Sequence, residues 1–483
     1  MFKVKRIELL DTSGWKPSPE RGLLGYIEAW WVTDEDLLTD DKVDDWIHQR
    51  HEFAAPRYSS SSPDISLSGR LSCIRLLMCE RLSESFYPPE FAMSRRSFIQ
   101  VEKLFGLPQA TLPLICRNTG MEYYRLEFDA QEGNGKSPPS ISAVIKYPQV
   151  YQLGNLGFSM THSFASGNTL AFLHGWSIFS GRNQVTGEKM VSHGERIHKL
   201  LESSVSLWRH PLVLPTLLLQ EHLFRCEEFI WRFLSPRIQK IENDLGVTRS
   251  GRLVQTPLAV PEEIKELLAN DERRIQIASA VNTTLVDTIT VISILKWDKR
   301  LSEFIKRADK ELQKYYKDAK INTNAEMELD SAVDHFSCEA ISSAEYVSGM
   351  RSRLEIQLTV LYNFVAQAGN ELNARIAATT SLDSAAMKTL AFVTTIFLPL
   401  SFVASLFSIP VFDWQASSED GSSDHSVASS RFWIYWVVSV PLTAATLLGW
   451  RLWWKRQKDH YAMEYPQVLR VAGKGKCAGV KEV

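Results

Sequence analysis

Hydroxyl side chains recur along an apolar run near the C-terminus. Stepping from Met387 by threes and fours picks out Leu390, Thr394, Leu398, Ser401, Ser405 and Ser408. Most of these lie in "TLAFVTTIFLPLSFVASLFSIPVF" (Thr389–Phe412), which contains no charged residue. Bulky Phe392, Phe397, Phe402 and Phe407 fall mostly off this line. A stripe of small hydroxyls has two chemical uses. It lets helices approach closely and hydrogen-bond across the contact. It also lines a narrow wet path when several copies surround an axis. The spacing leaves both open.

Other residues could do chemistry in principle. His222 and Cys226 are four apart, so one helical face could offer both to a metal. Two ligands make an incomplete site, and the spacing is read as ordinary packing. His193 and His198 stand near a helix start and are expected to be solvated rather than catalytic. With no phosphate-cradling glycine loop and no complete ligand cluster in the sequence, an enzyme is the poorest fit and no cofactor is expected. Acids gather in "DWQASSEDGSSDHSVASSR", where Asp413, Glu419, Asp420 and Asp424 face only Arg431, a composition suited to attracting cations.

These residues need elements to position them. The Thr389–Phe412 run would be about 36 Å long as a helix, enough to cross roughly 30 Å of hydrocarbon. A second charge-free run, Phe432–Trp450, just suffices, with Arg451 able to snorkel. Phe432, Trp433, Tyr435 and Trp436 mark one edge, and Trp450, Trp453 and Trp454 the other, as in an interfacial aromatic belt. Lys388 precedes the first run, and Arg451, Lys455, Arg456 and Lys458 follow the second. Basic flanks are retained on the cytosolic side. An integral, multi-pass membrane protein with both termini cytosolic is therefore expected, its acidic loop outside and the sequon at Asn282 unused.

Upstream of these runs, Asn324–Lys388 contains no proline, and Leu354, Leu358, Leu361, Val365, Ala368 and Leu372 recur at steps of four and three. That spacing predicts a long stalk helix running straight into the first span, its companions supplied by oligomerisation. "LPTLLLQEHLFRCEEFIWRFL" is helical too, with Pro236 a break and Gly246 a stop. "EYYRLEF" and "ISAVIKY" alternate as two strands joined by a loose hairpin. "SSSSPDISLSG" is read as a mobile loop, and the Trp30-Trp31 pair as packing.

The chain has 483 residues and a net charge of −2, enough for two or three domains and too balanced to point to a nucleic-acid partner. Six cysteines (Cys73, Cys79, Cys116, Cys226, Cys338 and Cys477) lack paired spacing, which suits a reducing compartment. "MFKVKRIELLDTSGW" has a basic start without an apolar core, so no secretory signal is expected; early acids argue against a transit peptide. The expected class is an α+β membrane protein. A cytosolic α/β domain covers 1–190 and a cytosolic helical region 195–323. A stalk helix covers 324–388, spans cover 389–412 and 432–454 around an acidic outer loop at 413–431, and a basic tail covers 455–483.

The stalk, "MKTLAFVTTIFLPLSFVASLF", the acidic loop, the second span and the basic tail together resemble the CorA family of divalent-cation channels, which includes the zinc-transporting ZntB branch. The likeness is specific over Ser384–Trp414 and looser over Asn324–Lys458. "LDSAAMKT" and "FDW" look closest to CorA-like proteins of filamentous fungi. The resemblance implies a funnel-shaped homopentamer in a lipid bilayer, transporting a divalent cation such as Mg²⁺. It places Asn373, Ser384, Met387, Leu390, Thr394, Leu398 and Ser401 on the pore, with Met387, Leu390 and Leu398 as apolar constrictions. The stripe read from spacing adds Ser405. Lys455, Arg456 and Lys458 would form a basic collar.

Two departures matter. Where the family carries Gly-Met-Asn at the pore mouth, this chain has Ser408-Ile409-Pro410, so no amide ring can hold a hydrated Mg²⁺. The position of the family's metal-sensing carboxylate falls at Gly349. Two functional classes follow: a pentameric cation transporter of altered selectivity, or a non-conducting, membrane-anchored protein whose cytosolic domain binds partners.

Overall fold

The computed structural model describes residues 2–17, 23–29, 33–54, 74–82, 89–127, 140–150, 153, 155–181, 190–246, 270–317, 321–409 and 432–464. It comprises two compact units, Met1–Val365 and Ala366–Val483.

The first unit is built on a mixed sheet of seven strands. These are β2 (Leu24–Ala29), β3 (Thr33–Leu37), β4 (Ile74–Glu80), β6 (Met121–Glu127), β7 (Ser140–Lys146), β8 (Gly157–Ser163) and β9 (Asn168–Gly175), in the order β3-β2-β4-β9-β8-β7-β6. Only β4 and β9 pair in parallel; the other neighbours are antiparallel. A separate two-stranded pair joins β1 (Gly14–Trp15) to β5 (Glu90–Phe91). The two strands expected from alternation are β6 and β7, paired antiparallel with Tyr124 opposite Ala143 and Leu126 opposite Ile141. Their connector, the serine-rich stretch and Trp30-Trp31 lie outside the described residues.

Side chains alternate across the sheet, so each strand feeds two cores. Ile74, Leu76 and Met78 of β4 join one core, while Leu77 and Cys79 join the other. Likewise Ala171 and Leu173 of β9 point one way and Phe172 the other. The second core is covered by α1 (Lys3–Thr12), α2 (Val43–Ile47), α3 (Arg95–Leu104) and α4 (Thr111–Ile115). The larger core is covered by α5 (His193–Ser203), α6 (Val213–Phe229), α7 (Ser235–Leu245) and a long helix, Asp271–Tyr316. Strands buried on both faces explain the near-continuous apolar runs in β4 and β9.

Pro236 does not separate two helices. A π-helical turn, Ile230–Leu234, connects α6 to α7 without a break, and Pro236 sits in the first turn of α7. Gly246 ends α7 in the left-handed conformation, φ 64°, as its position suggested. One close approach also needs glycine: a Cβ at Gly120 would collide with the Trp297 indole.

The stalk forms as a single helix, Thr323–Phe407, with Pro399 inside it. Its companions differ from those expected. Leu354 and Leu361 are buried in the larger core of their own chain, with Leu358 and Phe364 packed against it. Arg353 donates to buried Glu242 of α7 at 2.9 and 2.7 Å, and Lys306 of the Asp271–Tyr316 helix pairs with Asp334 at 2.5 Å. Residues 354–361 therefore serve the core of one chain, which already supplies the apolar surface that a neighbouring copy was expected to provide. Val365 and Leu372 stay exposed.

Among the described residues, three helices are long and apolar enough to cross a membrane: Asp271–Tyr316, Thr323–Phe407 and Trp433–Arg456. The first buries one face, from Ile277 and Val281 through Ile294, Leu301 and Ile305 to Leu312, in the larger core. It also carries Asp287, paired with Arg237 at 2.9 Å. That helix is satisfied as a component of the first unit. The most apolar stretches of the other two bury little within the chain and have the length and composition of membrane spans.

Candidate functional site

In the second unit, the end of the Thr323–Phe407 helix packs on a helix running Trp433–Glu464. Pro399 and Val403 are buried, Thr395, Ile396, Leu400 and Phe407 are half-buried, and the Tyr435 hydroxyl donates to the Leu400 carbonyl at 3.3 Å. The aromatics expected to form a belt also contact one another: Phe432 stacks on Tyr435, and Trp450 on Trp454. The Lys388 ammonium lies 5.4 Å from the Trp454 ring centroid.

The hydroxyl stripe occupies the opposite side. At 100° per residue, Met387, Leu390, Thr394, Leu398, Ser401, Ser405 and Ser408 centre roughly 180° from Pro399 and Val403. All seven are exposed, as are Asn373, Ser384 and Ile409. Met387 is 74%, Leu390 67% and Leu398 71% exposed, values foreign to a helix that has found its partners. The hydroxyls of Thr394, Ser401 and Ser408 donate to the carbonyls of Leu390, Leu398 and Ala404 at 2.9, 3.1 and 2.9 Å. Their protons are thus used inside the helix, and their oxygen lone pairs face outward as acceptors.

Lys455 and Arg456 are exposed on the Trp433–Glu464 helix, which also includes Lys458. Pro410 and the loop acids Asp413, Glu419, Asp420 and Asp424 lie outside the described residues. Gly349 is exposed, with open space where a Cβ would stand. It offers no side-chain ligand.

Among the described residues of the first unit, three buried clusters set a histidine beside a carboxylate, and the sequence hinted at one. In the first, His193 is buried rather than solvated, contrary to expectation. Its Nδ1 lies 2.9 Å from Glu221 Oε1, and Arg196 and Arg225 bind the same carboxylate. Burial pushes Glu221 toward the neutral form, but the His193 hydrogen bond and the two guanidinium groups win and hold its pKa low. Burial likewise lowers the pKa of His193, against the pull of Glu221. His198 is half-buried. In the second cluster, Asp309 takes a hydrogen bond from the Tyr316 hydroxyl and lies 3.4 Å from His210.

The third cluster joins His222 and Cys226 of α6 to Asp298 of the Asp271–Tyr316 helix. His222 Nδ1 is 2.7 Å from Asp298 Oδ1, and Cys226 Sγ is 3.9 Å from Oδ2. All three residues are buried, and one ligand atom from each lies within 4.8 Å of the others. The missing third residue had a sequence signal. Asp298 stands among Ile294, Leu301 and Ile305 on the apolar face of an amphipathic helix, where an acid implies a buried partner. What periodicity could not supply was the identity of that partner, 76 residues away.

No family model matches this chain. A stretch of 94 residues, 19% of the chain, is 36% identical to the notoamide biosynthesis cluster protein M' of Aspergillus versicolor. The match takes in 18% of that protein's length. Among solved structures, the full-length CmaX protein aligns over 90% of this chain and 98% of its own, at 11% identity and a TM-score of 0.33. The CorA magnesium transporter from Methanocaldococcus jannaschii aligns over 89% and 97%, at 14% identity and a TM-score of 0.32. Scores this low carry no argument about function. The α+β class rests on the elements themselves: an N-terminal α/β unit, long helices and two C-terminal helices with the make-up of membrane spans.

Proposed function

We propose that the chain is a CorA-like divalent-cation transporter, working as a homopentamer in a lipid bilayer with both termini cytosolic. The first span surrounds the pore and the second forms an outer ring. One observation carries this reading. The face of the first span turned away from the second is the one that bears the hydroxyl stripe. A face made only for lipid gains nothing from Thr394, Ser401, Ser405 and Ser408, whereas acceptor oxygens on a shared axis replace water around a passing cation. Met387, Leu390 and Leu398 punctuate the same line and act as constrictions that gate by excluding water. Lys455, Arg456 and Lys458 form the inner collar. The loop acids Asp413, Glu419, Asp420 and Asp424 concentrate cations at the outer mouth, an attraction that salt screens.

The second reading, a non-conducting anchor, is favoured by the Ser408-Ile409-Pro410 mouth, since a proline offers neither a side-chain acceptor nor an N–H. Reconstitution in liposomes separates the two. Fluxes of Mg²⁺, Zn²⁺, Ni²⁺ and Co²⁺ are compared with empty vesicles. The transporter reading expects flux with weak discrimination among the ions, and a sharper Mg²⁺ preference once Ser408-Ile409-Pro410 is replaced by Gly-Met-Asn. Silence of both proteins while folded and pentameric would leave the anchor.

A further inference from the structure

We propose that His222, Cys226 and Asp298 bind a single structural Zn²⁺ ion that ties α6 to the Asp271–Tyr316 helix. The inference is independent of transport, because all three ligands belong to the core of the first unit.

The donor set is one nitrogen, one sulfur and one oxygen, a mixture that suits a borderline-soft, tetrahedral ion. Zinc bonds of about 2.0–2.3 Å hold neighbouring ligand atoms roughly 3.3–3.8 Å apart. His222 Nδ1 is 2.7 Å from one Asp298 oxygen and Cys226 Sγ 3.9 Å from the other, and one ligand atom from each of the three residues lies within 4.8 Å of the others. Small side-chain rotations therefore open the cluster around an ion. Charge agrees as well. A thiolate and a carboxylate together neutralise the dication, which matters where unpaired charge is costly. The one-turn spacing of His222 and Cys226 fixes two ligands on one rigid helix.

A second observation points to a ligand. Beside the triad, the buried His222 Nε2 and Tyr147 hydroxyl lack partners among the described residues. Tyr147 and Trp297 are packed together beside His222, with the Tyr147 and His222 ring centroids 4.6 Å apart. Buried polar atoms are normally satisfied, and of the two the Tyr147 oxygen is the one that can ligate a cation or accept from its bound water. An ion accepted by Nδ1 puts the imidazole proton on Nε2. The fourth position is left to a water or to the Tyr147 oxygen. Such a site has a plain role. It replaces a weak thiol–carboxylate contact with bonds that fix the angle between two helices covering the sheet.

The test uses the full-length chain, expressed with zinc in the medium, purified in detergent and dialysed against EDTA. Metal analysis of the wild type is expected to find one zinc per chain. Cys226→Ala and Asp298→Ala should lose it, while Cys338→Ser, which alters an exposed cysteine, should keep it. Cobalt exchanged into the wild type should give a thiolate-to-cobalt charge-transfer band and tetrahedral visible bands. A strong chelator applied during unfolding should lower the wild-type melting temperature and leave that of Cys226→Ala unchanged. A folded wild type without zinc, whose melting does not respond to added Zn²⁺, overturns the proposal. So does zinc retained in full by Cys226→Ala. Should the variants fail to fold, the wild-type zinc content and cobalt spectrum decide the question.

Discussion

One helix, Thr323–Phe407, carries the same three-and-four apolar spacing in two regions that meet opposite fates. Over Leu354–Leu361 that spacing is buried in the larger core of its own unit. From Leu372 through Met387 and Leu398 it is exposed, more than half the surface of each side chain being accessible. Local sequence is thus equally helical and equally amphipathic in both. The difference lies in what faces each region: the core and α7 of the first unit in the first, and in the second, among the described residues, the Trp433–Glu464 helix, which takes up the other side. The apolar stripe of the second region needs lipid, water excluded by its own copies, or both.

The comparison breaks most sharply at Leu361. Leu361→Asp buries an unpaired carboxylate and removes core packing, so it is expected to destabilise the first unit by at least about 3 kcal/mol. Leu372→Asp, ten or so residues along but exposed, should leave thermal unfolding of that unit nearly unchanged and act instead on the proposed oligomer. Melting curves and light scattering together test this. Equal loss of melting temperature in both variants would erase the distinction.

Next comes the tether between the stalk and α7. Arg353→Ala strands Glu242, which is 2% exposed, without its bidentate partner. A cost of about 1–3 kcal/mol is expected, since a buried acceptor loses a charged donor. Arg353→Lys should recover part of it. An unchanged urea midpoint for Arg353→Ala would show that the tether contributes nothing.

The polar core of the first unit also predicts a pH response absent from the hydroxyl stripe. Burial, with His210 nearby, lowers the pKa of His162 to about 3, and burial beside Arg81 and Lys146 lowers that of His174. Both imidazoles are therefore neutral in the folded state at pH values where the unfolded chain protonates them. The unfolded state then binds more protons, so stability is complete above the unfolded value near 6.5 and falls as pH drops toward 3. The slope is up to about 1.4 kcal/mol per pH unit for each histidine. His162→Gln, which can still meet Thr169 across the β8–β9 pair, should flatten the acid limb of a melting-temperature profile. An identical profile for the variant would refute the assignment.

The smallest effect on stability is expected on the stripe itself. Leu398→Ser changes an exposed position, so melting of the first unit should move within about 0.5 kcal/mol. On the proposed transporter reading, liposome flux should rise, because the proposed constriction at Leu398 has been made wettable. A lower flux with normal assembly would argue that Leu398 faces lipid.

Much of this molecule is determined by local pattern. Two charge-free runs, the second bounded by aromatics, the uninterrupted stalk, the alternation in β6 and β7 and the stop at Gly246 are all properties of neighbouring residues, and they read out directly. The hydroxyl stripe is legible for the same reason, since a helical face depends only on spacing. Tertiary structure alone decided the rest. The sheet order places β4 beside β9, about ninety residues later in the chain, and no periodicity encodes such a pairing. His193 looked solvated because Glu221 and Arg225 approach it from another helix. His222 and Cys226 looked like an incomplete pair because Asp298 comes from a third. The apolar spacing at Leu361 and at Leu372 is the same to the eye, and only the presence or absence of a facing surface makes one a core residue and the other an exposed one. Spacing specifies which side chains share a face, whereas burial depends on residues distant in sequence that the fold brings against that face.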